Sequence, residues 1–182
     1  MLDLVGPAAA SFCACLLAIL ALRPVAVAVD LVDRPGGRKT HRGEVPVVGG
    51  IAMFLGIALG TGLVPPSPTI GVFLGACALL VTTGLLDDRF DLSPWTRLGV
   101  QAAAAILMVV GSGVSVVTIG DPFGIGTVEL EGFASYALTV LVTIAAINSF
   151  NMLDGMDGLA GAMALTGFAG LAWLSKIGRA HV

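Results

Sequence analysis

Charged side chains are scarce in this sequence: Asp, Glu, Lys and Arg together make up 12% of its 182 residues, against roughly 25% in a soluble globular domain. An ordinary soluble enzyme is excluded on that ground, because its surface needs ionised groups. Cysteine is also rare. Cys13, Cys15 and Cys77 show no CxxC or other metal-type spacing and lie inside apolar runs, so they are read as small buried hydrophobes rather than metal ligands. The net charge of -3 leaves no basic surface for nucleic acid. Asp3 is the one charged side chain before the first apolar run, whereas a cleaved secretory leader needs a positive segment there. The first run is therefore expected to stay in the chain as a span.

In place of charge the sequence has uninterrupted apolar stretches. Residues 4–22, 45–86, 98–120, 132–153 and 158–175 contain no Asp, Glu, Lys or Arg, and a helix needs ~20 mostly apolar residues to cross a bilayer. The second run is long enough for two crossings. Pro65, Pro66 and Pro68 divide it, since proline has no N–H and clashes with the preceding helical turn. The expected architecture is an all-α polytopic membrane protein with about six transmembrane helices. They fall at 4–22, 46–64, 70–86, 98–119, 133–150 and 158–174, in a single domain covering 1–174.

Basic residues orient these spans. Arg23, Arg34, Arg38, Lys39 and Arg42 lie between the first two, and Arg89 and Arg97 between the third and fourth. By the positive-inside rule both loops are cytoplasmic, which puts the N-terminus and the proline turn outside. Residues 120–131 hold Asp121, Glu129 and Glu131 but no Lys or Arg. The Val/Thr/Gly-rich stretch at 118–130 predicts a short extracytoplasmic hairpin.

Three polar segments, 23–46, 87–97 and 148–158, thus share the cytoplasmic face. The first contains DRPGGRKTHR from Asp33 to Arg42. Arginine and lysine beside glycines suit phosphate oxygens, although basic residues at a membrane edge also serve simply to set orientation and meet anionic lipid. The second begins Asp87-Asp88-Arg89-Phe90-Asp91. Carboxylates this close need a cation between them, and their hard oxygens suit Mg²⁺; the plainer reading is an acidic helix end with Arg89 and Arg97 as local partners. In the third, Asn148, Asn151, Asp154 and Asp157 recur at every third position, along one slowly drifting helical face. Amides at the bilayer edge are costly without partners, so the stripe points to a polar cavity, while a helix-ending turn accounts for Asp157 and Gly158. Acidic groups for metal and basic groups for phosphate are the equipment of phosphoryl transfer. One substrate would be nucleotide-like and the other membrane-borne.

The segments Asp33–Gly50 (DRPGGRKTHRGEVPVVGG), Leu86–Ser93 (LDDRFDLS) and Asn148–Ala160 (NSFNMLDGMDGLA) resemble, in order and spacing, the three N-terminal signatures of the polyprenyl-phosphate N-acetylhexosamine-1-phosphate transferases, glycosyltransferase family 4. Within that family the wording is more similar to the undecaprenyl-phosphate N-acetylglucosaminyl-1-phosphate transferases than to the muramoyl-pentapeptide branch. The resemblance implies a multi-pass enzyme of the bacterial inner (plasma) membrane with a cytoplasmic active face. It implies transfer of N-acetylglucosamine 1-phosphate, or a related N-acetylhexosamine 1-phosphate, from a UDP-N-acetylhexosamine to undecaprenyl phosphate. UMP is released and a cell-surface glycan is started. Mg²⁺ is the implied cofactor, with Mn²⁺ as a substitute, and a homodimer is compatible with it. By position, Asp87, Asp88, Asp154 and Asp157 match the family's catalytic aspartates, with Asp87, Asp88 and Asp154 as metal ligands. Arg38, Lys39, His41, Asn148 and Asn151 match its substrate-binding positions.

Family members have roughly ten or eleven spans of ~20 residues each and two further cytoplasmic signatures, a Gly-Asp-x-Gly-Ser element and a His-rich loop, which these 182 residues do not contain. The sequence is expected to be the N-terminal part of such a fold, and transfer by this stretch alone is not expected. Lys176 to Val182 is what a common sequencing adapter, AAGATCGGAAGAGCACACGTC, encodes. Residues 175–182 are therefore expected to be a non-native tail in which His181 is no ligand. The competing class is an ion-coupled transporter or a non-catalytic protein that binds the lipid carrier. Carriers place ionisable groups near the midplane between broken helices, whereas every Asp and Glu here lies outside the uncharged runs. Sequencing the source DNA across codon 175 is expected to show the frame continuing through both missing signatures; a genuine stop after codon 182 would contradict this.

Overall fold

The computed structural model describes residues 4–33, 45–122, 124, 126–153 and 158–180. In chain order the elements are α1 (Val5–Ala28), β1 (Val32–Asp33), β2 (Val45–Pro46), α2 (Gly49–Gly62), α3 (Pro68–Phe90), α4 (Pro94–Ser112), α5 (Gly132–Leu153) and α6 (Leu159–Ala180). They fall into two compact units, Met1–Val140 and Leu141–Val182, with the boundary inside α5.

Burial is inverted relative to a soluble protein, in which large apolar side chains go inside. Most buried positions are small (Ala26, Ala52, Ala76, Ala104, Ala105 and Ser135, with Val48 and Val109 the larger ones), while Phe12, Leu17, Val110, Leu141 and Phe168 are exposed. Lipid chains are as apolar as leucine, so large side chains lose nothing by facing them, and helix contacts select small residues instead. Helices α1, α3, α4 and α5 are long and apolar enough to cross a membrane. The six expected spans thus correspond to six helices among the described residues, and four of these combine the length and the apolarity a crossing needs.

Helix α2 is the clearest departure from the expected boundaries. Its 14 residues cover about 21 Å at 1.5 Å per residue, short of a ~30 Å hydrocarbon core. Pro46, expected at its start, instead pairs antiparallel with β1 together with Val45, in the register Val32↔Pro46 and Asp33↔Val45. Helix α3 runs on to Phe90, so Asp87 and Asp88 lie in its last turn rather than in a loop. Helix α4 stops at Ser112 instead of 119, because Gly113 at φ 69° takes the left-handed conformation and returns its N–H to the Val109 carbonyl, an end that glycine makes inexpensive.

Two close helix contacts build unit one. Ala52, Gly56 and Gly60 repeat at four-residue spacing on the buried face of α2. A Cβ at Gly56 would stand 2.7 Å from the Ser11 carbonyl oxygen and 3.0 Å from Cys15 Cβ, and one at Gly60 would collide with the Ser11 hydroxyl. Only glycine allows α1 that near. Helices α3 and α4 meet in the same way, with Gly111 against Val72, whose Cγ1 would lie 2.8 Å from an added Cβ. Helix α4 begins on a Ser93 cap, its Oγ accepting from the Thr96 N–H at 3.1 Å, with Pro94 at the first helical position, where its missing N–H costs nothing.

At the opposite end of α4 the expected hairpin is present. Thr118 and Glu129 pair as an antiparallel bridge, flanked by bonds from Ile119 N to Val128 O and from Leu130 N to Val117 O. Buried Ser135, near the start of α5, ties this segment down. Its hydroxyl is 2.8 Å from both the Ser115 hydroxyl and the Val116 carbonyl, and Thr139 Oγ1 accepts from the Val116 N–H. In unit two, Gly158 at φ 76° precedes α6 and accepts from the Ala162 N–H.

Replacing Gly60 by Val is expected to destabilise the chain in detergent by about 1–3 kcal/mol or more, the cost of overpacking, seen as a lower midpoint of thermal unfolding. Gly62→Ala, whose Cβ meets nothing within 4 Å, should leave that midpoint unchanged or slightly higher. Equal loss in both variants would show that the close approach of α1 and α2 is not what holds this pair.

Candidate functional site

The site is assembled at the end of unit one where α1 finishes, α2 begins, α3 finishes and α4 begins. Helix α1 exits through Asp30 at φ 59° and the Leu31 N–H bonds back to the Ala26 carbonyl at 2.8 Å. The β1–β2 pair and a bond from Val47 N to Leu31 O at 3.1 Å then close the base of the basic first loop. Its two ends are held side by side. Arg38, Lys39 and His41 lie outside the described residues.

The two adjacent aspartates have different surroundings. Asp87 accepts hydrogen bonds at both carboxylate oxygens, from the Leu92 backbone N–H to Oδ1 at 3.0 Å and from Arg97 Nη1 to Oδ2 at 2.8 Å. Its carbonyl also accepts from the N–H of Asp91, which takes φ 49° to end the helix. Asp87 therefore closes the α3–α4 turn. Asp88 follows ~100° further round the helix and borders an open groove of about 260 Å³ between α2 and α3. The rest of that groove is lined by Val47, Gly50, Ile51, Leu80, Val81, Gly84 and Leu85. Added Cβ atoms at Gly50 and Gly84 would meet nothing within 4 Å, so these glycines keep it open. The groove is apolar along its walls and carries a carboxylate at the α3 end.

Of the two arginines expected as local partners of the acidic end, only one takes that role in the described contacts. Arg97 pairs with Asp87, but Arg89 donates from Nη1 to the Val29 carbonyl at 3.2 Å and sits 5.9 Å from the centre of the Phe90 ring. Val29 is the C-cap of α1. A cation there suits both the terminal carbonyls and the negative end of the helix dipole. Arg23 lines a second recess of about 240 Å³ with Ile19, Val45, Pro46, Val48 and Gly49.

In unit two, Asn148 is half-buried and its Nδ2 donates to the Ile144 carbonyl at 2.9 Å, while Asn151, one turn on, is exposed. Asp154 and Asp157 lie outside the described residues. Among the described residues no group of three or more His, Cys, Asp or Glu could hold a metal ion. The hard carboxylate oxygens of Asp88 and Asp87 are nevertheless donors of the kind a Mg²⁺ ion takes. Sequence reasoning did not find the groove or the Arg89 tie, because both join residues distant in the chain. Arg97 left one usable signal: a cation in the first turn of a helix opposes the macrodipole and so calls for a nearby anion.

The sequence profile of glycosyl transferase family 4 matches residues 70–182. The undecaprenyl-phosphate alpha-N-acetylglucosaminyl 1-phosphate transferase of Escherichia coli O157:H7 is 40% identical over 119 residues, covering 65% of this chain and 32% of that protein. The enzyme of the same name from Pasteurella multocida is 39% identical over 102 residues, covering 54% of the chain and 28% of the relative. That of Yersinia pestis is 38% identical over 119 residues, with shares of 65% and 32%. The chain thus spans about a third of the length of the curated relatives it matches. No solved structure matches. The chain belongs to glycosyl transferase family 4, the family its three motifs resemble.

Proposed function

We propose that the protein transfers N-acetylglucosamine 1-phosphate from UDP-N-acetylglucosamine to undecaprenyl phosphate in the bacterial inner membrane, with its active face cytoplasmic. The observation that carries this reading is the groove whose walls are apolar and whose end is Asp88. A polyprenyl chain needs an apolar channel and its phosphate must finish at the membrane edge beside the reacting groups. The relatives, named for this reaction, support it. An ion-coupled carrier is the poorer reading, since Asp87 and Asp88 lie in the last turn of α3 and not at mid-helix.

In the reaction proposed, an oxygen of the lipid phosphate attacks the sugar-bearing phosphorus of the UDP-sugar. The bond to the bridging oxygen breaks, and UMP leaves with that electron pair. The difficulty is electrostatic. Two like charges ~4 Å apart at an effective dielectric near 20 repel by roughly 4 kcal/mol, and this reaction brings several together. A divalent cation, which enzymes of this family generally need, would supply neutralising charge, and we take it to be Mg²⁺. Asp88, Asp87 and Asp154 are the residues proposed to hold it. Arg38, Lys39 and His41 are proposed to meet the phosphates, Asn148 and Asn151 the nucleotide, and Asp157 to complete the acidic set. The chain supplies the acceptor's side of the arrangement: the apolar groove between α2 and α3 orients the lipid.

In the complete reading frame, Asp88→Asn is expected to abolish UMP release while leaving membrane insertion intact; unchanged turnover at saturating Mg²⁺ would overturn the assignment. Gly84→Leu, which fills the groove, is expected to raise KM for undecaprenyl phosphate about tenfold, the scale of one lost apolar contact, with KM for the UDP-sugar unchanged. Equal effects on both substrates would count against the groove as the acceptor's channel.

A further inference from the structure

We infer that Arg97 is a positioning residue of the site: by gripping Asp87 it sets the orientation in which the aspartate pair at the end of α3 is presented beside the groove. This rests on the transferase reading.

The grip has two points. Arg97 holds Oδ2 of Asp87 at 2.8 Å and the Leu92 N–H holds Oδ1 at 3.0 Å, which fixes the side-chain rotamer and the turn together. Arg97 is itself set by the start of α4, where Pro94 occupies the first helical position, Ser93 caps the Thr96 N–H, and the Arg97 N–H bonds to the Ser93 carbonyl at 3.2 Å. Asp88 follows Asp87 in the same last turn of α3 and borders the groove.

Fold stability does not account for this pair. The Arg97 and Asp87 side chains are 38% and 21% exposed, and partly solvated ion pairs contribute little. Its polarity is also the wrong one for the helices. An anion lies at the C-terminal end of α3 and a cation in the first turn of α4, each opposed by the macrodipole. Exchanging the two residues would keep an ion pair and satisfy both dipoles. The native arrangement is therefore better explained by the acidic end it creates beside the groove, with Arg97 offsetting one of two neighbouring negative charges.

Two variants of the complete reading frame test this, each assayed for thermal unfolding and for the kinetics of UMP release. Arg97→Gln is expected to lower kcat at least tenfold with KM for the UDP-sugar within about twofold, a transition-state loss and not a binding loss, and to leave the unfolding midpoint nearly unchanged. Arg97→Lys should recover part of kcat. Full turnover in Arg97→Gln would reduce Arg97 to a brace and overturn the inference while leaving the transferase reading intact. Absence of UMP release from the wild-type frame would instead overturn both.

Discussion

The close approach of α1 and α2 is the constraint on which the site depends. In a bilayer there is no hydrophobic gain from bringing two apolar helices together, so contact must come from dispersion between surfaces that fit. Gly56 and Gly60 remove the side chains that would hold α2 away from Pro7, Ser11 and Cys15. With the helices in backbone contact, the chain leaving α1 at Asp30 and the chain entering α2 at Gly49 lie near enough for Val32 and Asp33 to pair with Pro46 and Val45. That pairing shortens α2 and brings Val47 and Gly50 opposite Leu80, Gly84 and Asp88 of α3, the walls of the groove.

The charges at this end are divided between fold and chemistry. Arg89, within the acidic motif, is spent on the last carbonyl of α1, where it joins the ends of α1 and α3 across 60 residues of sequence. Arg97 is directed to Asp87. Neither arginine is a plain orientation signal for the membrane, although both count as one under the positive-inside rule. A short DDRFD segment thus contains one residue that builds the turn, one that borders the groove and one that ties down a neighbouring helix. Their side chains leave the helix at different angles, so adjacency in sequence does not make them neighbours in function.

At the other end of unit one, polar groups are used to satisfy backbone. Ser112 Oγ donates to the Met108 carbonyl at 2.5 Å and accepts from the Val114 N–H at 3.2 Å as α4 ends. Ser135 and Thr139 take up the Val116 carbonyl and amide. Irregular backbone near a membrane is stable only when such partners exist. The hairpin expected from its Val/Thr/Gly composition forms because α5 supplies them.

The number and approximate place of the helices were legible from composition, since a 12% charge content and proline breaks bound apolar runs regardless of what packs on them. The sequence carried the family too, because the three motifs are local strings. It located the hairpin and the acidic end of α3 to within a few residues. Tertiary structure alone decided that Val45 and Pro46 pair as a strand, that α2 is shorter than a bilayer, that Asp87 is bound to Arg97 while Asp88 borders a groove, and that Arg89 serves α1. Each of these depends on which backbone comes within hydrogen-bonding distance of which side chain. Apolar periodicity and charge counts carry no such distances, which are set by where two glycines allow helices to touch.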